Sequence, residues 1–377
     1  MRKFEPMKLA DLETPRLVLD TARMEANVAR LKSHLAPLGV RLRPHVKTCK
    51  SIEVARTFME SSSGPITVST LKEAEQFFAH GVTDILYAVG IAPGKLPHVE
   101  RLRAQGVNLC VVVDNVDAAK AVAARGSGIP ALIEIDSDGH RAGVKPGSPY
   151  LLEVAKALSS GGECRGVMTH AGASYDCRSL EAIAAMAEQE RRAVVDSAKA
   201  LRAAGFQAPV VSVGSTPTAT FARNLDGVTE VRAGVFVFQD LVMAGLGVCA
   251  VQDIAVSVLA TVIGHQAEKG WVITDAGWMA LSRDRGTAKQ PVDQGYGLVC
   301  DESGSALSDL IVHQANQEHG IVTGRGGAPL DVAKFPVGTR LRVLPNHACA
   351  TVAQHDGYDL VRGGTDVLGR WARFNGW

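Results

Sequence analysis

The sequence has almost no net charge and no long apolar run. Lys and Arg number 40 against 39 Asp and Glu, which leaves a net charge of +1, whereas nucleic-acid-binding proteins usually carry a basic patch or a high pI. The longest apolar runs, such as 109–113 and 254–263, fall far short of the ~20 residues of a membrane-spanning helix. We therefore expect neither a nucleic-acid partner nor a membrane partner.

Paired cysteine motifs and a secretory leader are also lacking. The seven cysteines are odd in number and none stands in a CxxC motif, which is typical of a reducing compartment rather than of a disulfide scaffold. Residues 1–12 are rich in charge and lack the apolar core of a signal peptide. The sequence thus predicts a cytoplasmic protein.

Eight short apolar runs alternate with longer amphipathic segments over the first two-thirds of the chain. The predicted strands are 41–46, 66–69, 85–89, 109–113, 131–135, 166–170, 210–213 and 230–235, and the predicted helices are 52–59, 71–79, 95–104, 116–124, 150–158, 180–204 and 216–224. Strands that are apolar throughout are typical of a parallel sheet covered on both faces. An open dinucleotide-binding sheet requires a GxGxxG motif after its first strand, and this chain has none there. The pattern therefore predicts a TIM (β/α)8 barrel.

The remaining segments predict a second domain. An earlier strand at 17–20, followed by a helix at 24–35, is expected outside the barrel. After residue 245 the predicted strands are short and separated by Gly and Asp, at 255–263, 271–275, 297–300, 320–323, 340–344 and 358–361, which indicates an antiparallel β domain. We expect the barrel at 15–244 and the β domain at 245–377, with residues 1–14 joining the β domain.

Two features at predicted strand ends favour a cofactor that is bound both by a lysine amine and by a phosphate-binding turn. Lys47 follows the first barrel strand, where burial would lower its pKa and free the amine as a nucleophile; Lys50 is expected to be an ordinary surface lysine. Ser215 and Thr216 follow Gly214 in a small-residue turn that either binds phosphate or is an ordinary helix cap. A lysine opposite a phosphate cradle indicates pyridoxal 5'-phosphate (PLP).

A second pair of residues has the chemistry of a metal site. His347 and Cys349 stand two positions apart, and on a strand such side chains share one face. Imidazole and thiolate suit zinc, although a core histidine and a buried cysteine would give the same spacing. The spacing alone leaves both interpretations open.

Several motifs together resemble one known family. The chain is similar to the fold-type III, alanine-racemase-like PLP enzymes, and within them to the D-threonine aldolase and D-serine dehydratase family. The segments that carry this resemblance are RPHVKT at 43–48, HAGASY at 170–175, GSTPT at 214–218 and RAG at 232–234. The resemblance extends over nearly the whole chain and implies a barrel followed by a β domain.

The resemblance also implies roles for individual residues. Lys47 is expected to form the Schiff base with PLP, and Tyr175 to contact the cofactor. The phosphate is expected to bind at Ser215, Thr216 and the backbone of Gly234 and Val235, while either Arg141 or Arg232 faces the pyridine nitrogen. A divalent metal, zinc, manganese or cobalt, is expected on His347 and Cys349.

The implied activity is elimination of water from a D-3-hydroxy amino acid. Aldolases of the family tend to carry an acidic residue where this chain has Cys349, which favours a dehydratase. D-threo-3-hydroxyaspartate would give oxaloacetate and ammonia, and D-serine would give pyruvate. His140, Arg141 or His355 could bind the second carboxylate.

The alternatives are retro-aldol cleavage to glycine and an aldehyde, racemisation, and a non-catalytic PLP-binding protein. Two-domain enzymes of this type commonly pair, so a homodimer is also expected.

Overall fold

The computed structural model describes residues 7–377. Its contacts divide the chain into two compact units, one formed by residues up to Ala29 together with Val235–Asn375, and the other by Arg30–Gly234 together with Gly376–Trp377. The C-terminal segment of the first unit thus begins at Val235, ten residues before the start of the predicted β domain at 245. Of the predicted N-terminal segment, residues 1–6 lie outside the described residues, while Lys8 forms an antiparallel bridge with Asp366 of the same unit.

The strands are defined in chain order as follows. They are β1 Arg16–Asp20, β2 Arg41–Leu42, β3 Ile66–Val68, β4 Asp84–Gly90, β5 Asn108–Val113, β6 Pro130–Ile135, β7 Glu163–Thr169, β8 Val210–Val213, β9 Glu230–Val231, β10 Val256–Gln266, β11 Trp271–Thr274, β12 Leu298–Cys300, β13 Ala306–Ala315, β14 Gly320–Gly324, β15 Arg340–Leu344, β16 Gly357–Val361 and β17 Gly369–Ala372.

The α-helices lie mostly between the first nine strands. They are α1 Thr21–Leu35, α2 Ile52–Arg56, α3 Leu71–Phe78, α4 Leu96–Ala104, α5 Val116–Ala123, α6 Tyr150–Leu158, α7 Leu180–Ala203, α8 Thr216–Phe221, α9 Leu241–Gly245, α10 Trp278–Leu281 and α11 Ala348–Val352. No helix within residues 7–377 combines the length and the apolar character needed to cross a membrane.

Eight parallel strands form the predicted barrel, in the order β2-β9-β8-β7-β6-β5-β4-β3. A parallel bridge between His45 and Thr67 joins the chain just after β2 to β3, at the opposite end of that order. The strands are apolar on both faces, as the sequence predicts, and Leu86, Val112, Leu132 and Met168 form one buried cluster across four neighbouring strands. The predicted TIM-like fold is confirmed, and the ends of its strands carry the candidate cofactor residues.

The other unit contains a nine-stranded sheet in the order β11-β14-β13-β12-β15-β10-β1-β16-β17. Strand β11 also pairs with β10, so six of these strands close into a small barrel. The pairings are antiparallel except between β1 and β16, which confirms the β domain. Strand β1 lies outside the barrel strands, as expected, but it belongs to this sheet and its unit, whereas the predicted bounds placed it with the barrel domain. Strands β13 and β17 are not among the predicted strands.

Candidate active site

The turn that carries Lys47 begins earlier than predicted. Strand β2 ends at Leu42 instead of continuing to Val46, and residues 46–49 form a turn closed by the Lys50 amide, which donates to the Val46 carbonyl at 2.8 Å. Lys47 is exposed on this turn, so the expectation of a buried amine is wrong. The strand-end position nevertheless leaves the amine open to a ligand.

Lys50 is not the ordinary surface lysine that the sequence predicts. Its ammonium lies 3.3 Å from a carboxylate oxygen of Glu73, which is fully buried at the start of α3. The backbone of Lys50 has a φ of 41°, a left-handed conformation that is uncommon for a residue with a side chain. The ion pair therefore fixes the end of the turn that carries Lys47.

Two histidines near this turn are electrically neutral. Burial first, and then the positive charge of Lys47, lowers the pKa of His45 well below its usual range and that of His170 to about 3. The His170 Nδ1–H donates to the Gly214 carbonyl at 2.8 Å, which leaves Nε2 without a proton. Both imidazoles are thus hydrogen-bonding groups rather than additional cations.

Arg232 lies inside the barrel, within a continuous polar network. Its guanidinium donates to the Ser212 hydroxyl at 2.5 Å and to the Thr169 carbonyl. Ser212 in turn donates to Glu230 at 2.8 Å, and Glu230 pairs with Arg43 at 2.7 Å. These bonds compensate the buried charges and hold the guanidinium of Arg232 in one orientation.

The other candidate arginine is placed differently. Arg141 follows β6 with about half of its side chain exposed (51%), and its guanidinium lies 3.2 Å from Glu134. Burial raises the pKa of the Glu134 carboxyl, and the charge of Arg141 opposes that rise. Of the two arginines, only Arg232 is buried in the polar interior of the barrel.

Ser215 is the N-cap of α8. Its hydroxyl accepts the Thr218 amide at 3.2 Å and shares a hydrogen bond with the Ser174 hydroxyl at 2.9 Å, so the helix-cap interpretation holds for this side chain. Thr216, the first residue of α8, is also buried. The turn before α8 is tightly constrained, because a Cβ on Gly214 would collide with the Arg232 backbone.

Gly234 brings two candidate segments together. A Cβ at Gly234 would lie 3.0 Å from both the His45 carbonyl oxygen and the Thr48 hydroxyl, and both of these residues flank Lys47. A side chain at this position would require these neighbouring atoms to move by a few tenths of an ångström. The segment after β9 therefore packs directly against the lysine turn.

The remaining predicted cofactor residues are also located. Tyr175 is half-buried, and its ring centroid lies 6.2 Å from that of His170. Val235 is buried at the start of a short 3-10 helix. The structure thus gathers Lys47, Gly214, Arg232 and Gly234 around the strand ends of one barrel, which is the geometry that a lysine-linked cofactor requires.

The predicted metal pair does not lie on a strand. Strand β15 ends at Leu344, His347 is the N-cap of α11, and Cys349 lies in its first turn, so the argument from strand alternation is wrong. The two side chains nevertheless meet through a hydrogen bond. The bend into α11, rather than strand alternation, brings the imidazole and the thiol together.

Asp284 completes the environment of this pair. Its Oδ2 accepts the His347 Nδ1–H at 2.7 Å, which leaves Nε2 for a metal ion. Burial disfavours the charged imidazole, but the Cys349 sulfur and the Asp284 and Asp240 carboxylates together raise the pKa of His347 to about 11. The environment thus favours positive charge at this position, and an imidazole plus a thiolate suit a divalent metal such as zinc.

Asp240 supports the helix that carries the metal pair, and the pair itself is an incomplete ligand set. Asp240 accepts the Ala348 amide at 2.9 Å and the Met243 amide at 2.9 Å, so it supports the start of α11. Within residues 7–377, no three His, Cys, Asp or Glu side chains are grouped as a complete metal cage. Two protein ligands would leave coordination positions for water and substrate, as a catalytic site needs.

The three candidates for a second substrate carboxylate also differ in position. His140 is exposed after β6, with its ring packed on Gly172. His355 donates from Nε2 to the Ala280 carbonyl at 3.0 Å. Arg141 is the only permanent cation of the three, and Glu134 orients it.

Residues far apart in sequence were missed by the sequence analysis. Asp284 lies 63 residues before His347, and Glu190, on α7, accepts backbone amides from Ala171 and Gly214. Neither stands beside a motif. Glu190 stands in the polar run EQERR at 188–192, so the local sequence does not distinguish it from its charged neighbours.

Family comparison assigns both parts of the chain. Residues 19–241 match the N-terminal domain of alanine racemase, and residues 255–361 match a serine dehydratase domain. The D-threo-3-hydroxyaspartate dehydratase of Delftia sp. (strain HT23) is 55% identical, with 98% of this chain and 99% of that protein covered. The D-serine dehydratase of Dictyostelium discoideum is 31% identical, with 88% and 89% covered.

Solved structures agree with these matches. The structure of the Delftia dehydratase superposes with a TM-score of 0.95 at 55% identity, covering 98% of this chain and all of that one. A cysteine-to-alanine mutant of a D-threo-3-hydroxyaspartate dehydratase, described as metal-free, gives a TM-score of 0.95 at 54% identity with the same coverage. The histidine changed in another mutant of that dehydratase lies two positions before this cysteine, the same spacing as that between His347 and Cys349.

Proposed function

This chain belongs to the alanine-racemase-like, fold-type III family whose members carry a serine dehydratase domain, and we propose that it eliminates water from a D-3-hydroxy amino acid. D-threo-3-hydroxyaspartate is the best supported substrate, since the 55% identical relative is a dehydratase of that compound. Oxaloacetate and ammonia are then the products. D-serine is a second candidate substrate because the chain is also 31% identical to a D-serine dehydratase.

The observation that carries the proposal is the pairing of His347 with Cys349 beside Asp284. A β-hydroxyl is a poor leaving group, and a divalent ion on these two ligands would act as a Lewis acid toward it. The metal-free mutant of the close relative, in which a cysteine is replaced, supports the same ligand choice. Zinc, manganese and cobalt remain the candidate ions.

Lys47 is proposed as both the attachment point and the base. PLP, when bound, would supply an aldehyde for the lysine amine and a conjugated ring that can accept electrons. Lys47 would hold the cofactor through its amine, and a free Lys47 amine would take the Cα proton of the substrate. The exposed position of Lys47 on its turn is consistent with both roles.

The remaining residues are proposed to bind and orient. Arg232, rather than Arg141, is our choice for the pyridine nitrogen, because its guanidinium is buried and fixed by Ser212 and Thr169. A cation there would disfavour protonation of that nitrogen. Thr216, the backbone after Gly214 and the segment at Gly234 would bind the phosphate, and Tyr175 would contact the ring.

Arg141 is proposed to bind the second carboxylate of the substrate. It is a permanent cation, it is half exposed, and its partner Glu134 is buried. An incoming carboxylate can therefore pair with the exposed side of the guanidinium. The expected signature of Arg141→Lys is a higher KM for 3-hydroxyaspartate and an unchanged KM for D-serine.

Product analysis tests the function. The purified protein is incubated with PLP and with D-threo-3-hydroxyaspartate, D-serine or D-threonine, with and without EDTA. We expect 2-oxo acid and ammonia, lost with EDTA and restored by a divalent metal. Glycine plus an aldehyde would instead identify an aldolase, and the absence of any PLP-dependent product would refute the proposal.

The oligomeric state and the cellular location are proposed separately from the activity. We propose a homodimer, which light scattering of the holoprotein can test. The cytoplasmic location stays a prediction, supported by seven cysteines without a disulfide between them.

A further inference from the structure

Glu190 is a buried carboxylate whose hydrogen-bond partners lie outside its own helix. It lies within α7, yet it is only 2% exposed. One oxygen, Oε1, accepts two backbone amides, from Ala171 at 3.1 Å and from Gly214 at 3.0 Å. The side chain of Thr218 makes a further hydrogen bond to the same carboxyl group.

All three partners belong to segments that end barrel strands. Ala171 follows β7, Gly214 follows β8, and Thr218 lies in the first turn of α8. The Gly214 peptide region is fixed on both sides, since its amide donates to Glu190 and its carbonyl accepts from His170 at 2.8 Å. Gly214 itself has a φ of 141°, which side chains rarely allow, so this turn needs glycine at that position.

We propose that Glu190 is a positioning residue that holds the turns after β7 and β8 in the conformation that binds the phosphate of PLP. This inference rests on the proposed function, because it takes the phosphate to bind at the start of α8. In this proposal Glu190 accepts the Ala171 and Gly214 amides and so fixes the two turns from the side of α7. The remaining amides and hydroxyls of the turns are then left to bind the phosphate.

The chemistry of the contact distinguishes three substitutions. Glu190→Ala leaves two buried amides without an acceptor, which is costly in a site that water does not reach. Glu190→Gln keeps one oxygen for both amides and can donate from its nitrogen to the Thr218 hydroxyl. Glu190→Asp keeps the charge but shortens the side chain, so it cannot reach the same two amides.

The test compares two ligands that differ by the phosphate alone. Dissociation constants of PLP and pyridoxal for the PLP-free protein are measured from the visible absorbance of the bound cofactor. In Glu190→Ala we expect the constant for PLP to rise about tenfold or more, the scale of a lost charge-assisted contact, while that for pyridoxal stays within about twofold. Glu190→Gln should restore most of the preference for PLP.

Glu188→Ala is the matched control. It removes a carboxylate two positions away on α7, which pairs with Arg191 at 2.8 Å and Arg192 at 2.7 Å on the same helix. We expect this variant to keep the wild-type ratio of the two constants. Amide hydrogen exchange at Ala171 and Gly214 should accelerate in Glu190→Ala alone.

One result would overturn the inference. An unchanged ratio of the PLP and pyridoxal constants in folded Glu190→Ala, whether neither constant changes or both rise equally, would mean that Glu190 only stabilises the fold. If the alanine variant does not fold, Glu190→Asp is measured against the same criteria. A wild-type protein that binds neither ligand would refute the proposed function itself, which separates the two failures.

Discussion

Replacing Asp284 by Asn tests the metal site without removing a ligand. The Asp284 Oδ2 lies 2.7 Å from His347 Nδ1, so the carboxylate holds the proton on Nδ1 and leaves Nε2 as the only nitrogen able to bind a metal. Asn keeps an acceptor oxygen at that position but removes the negative charge. The imidazole then loses basicity and part of its orientation, while the His347 and Cys349 ligands remain.

The expected loss follows from the geometry and the exposure of the pair. Removing the carboxylate behind a metal-binding histidine weakens metal affinity by about 10–100-fold, or about 1.4–2.7 kcal/mol. The side chains of His347 and Asp284 are 41% and 44% exposed, and water screens such a pair. We therefore expect the lower end of the range, about tenfold, for Asp284→Asn and a larger loss for Asp284→Ala.

The assay is competition for zinc between the metal-free protein and a chromophoric chelator. Asp293→Asn is the matched control, because Asp293 pairs with Arg285 at 2.6 Å and is 43% exposed. The control should bind zinc as the wild type does. Equal zinc affinity of Asp284→Asn and the wild type would refute the orienting role, and wild-type affinity of His347→Ala would refute the site.

Three further predictions concern the barrel. Lys47→Ala should abolish the visible absorbance of covalently bound PLP, and a retained absorbance band after gel filtration would exclude this lysine. Burial and the charge of Lys47 lower the pKa of His170 to about 3, so the stability it contributes is present above its unfolded pKa of about 6.5 and is lost as the pH falls toward 3. His170→Asn, which keeps a donor for Gly214, should reduce that loss by up to about 1.4 kcal/mol per pH unit; urea denaturation at pH 7 and pH 5 checks this, and parallel losses in both proteins would contradict it. Arg43→Met should lower the free energy of unfolding by about 3–5 kcal/mol, because Glu230 loses its 2.7 Å partner, and a change below about 1 kcal/mol in denaturant unfolding would show that the pair is dispensable.

Local sequence patterns were sufficient to predict the order of strands and helices in the barrel. The barrel strands are apolar and rich in β-branched residues, and each predicted run has its counterpart among β2 to β9. Their ends were less predictable: β2 stops at Leu42 because the chain turns to place Lys47. Strand β13 escaped prediction since polar residues interrupt its apolar positions, as in Ala306–Ala315.

The candidate site was predictable only where a motif carried it. The lysine turn and the glycine segments were found from their sequences, and the His347–Cys349 pair was found through an argument about strands that the structure contradicts. Glu190 and Asp284 act through contacts with distant segments, and no local pattern encodes such contacts. The ion pair of Lys50 with Glu73 was missed for the same reason.

The position of β1 has a consequence for synthesis. This strand pairs with β10 and β16, and its Arg16 binds Asp359, 343 residues further along the chain. On the ribosome, β1 therefore emerges long before its partners, while all eight barrel strands are complete by Val231. The barrel can mature first, as domains made early generally do, whereas the first strand has no partner until β10 is made and lacks its second partner until β16 is made. A chaperone that shields short apolar segments would have its longest opportunity at this strand.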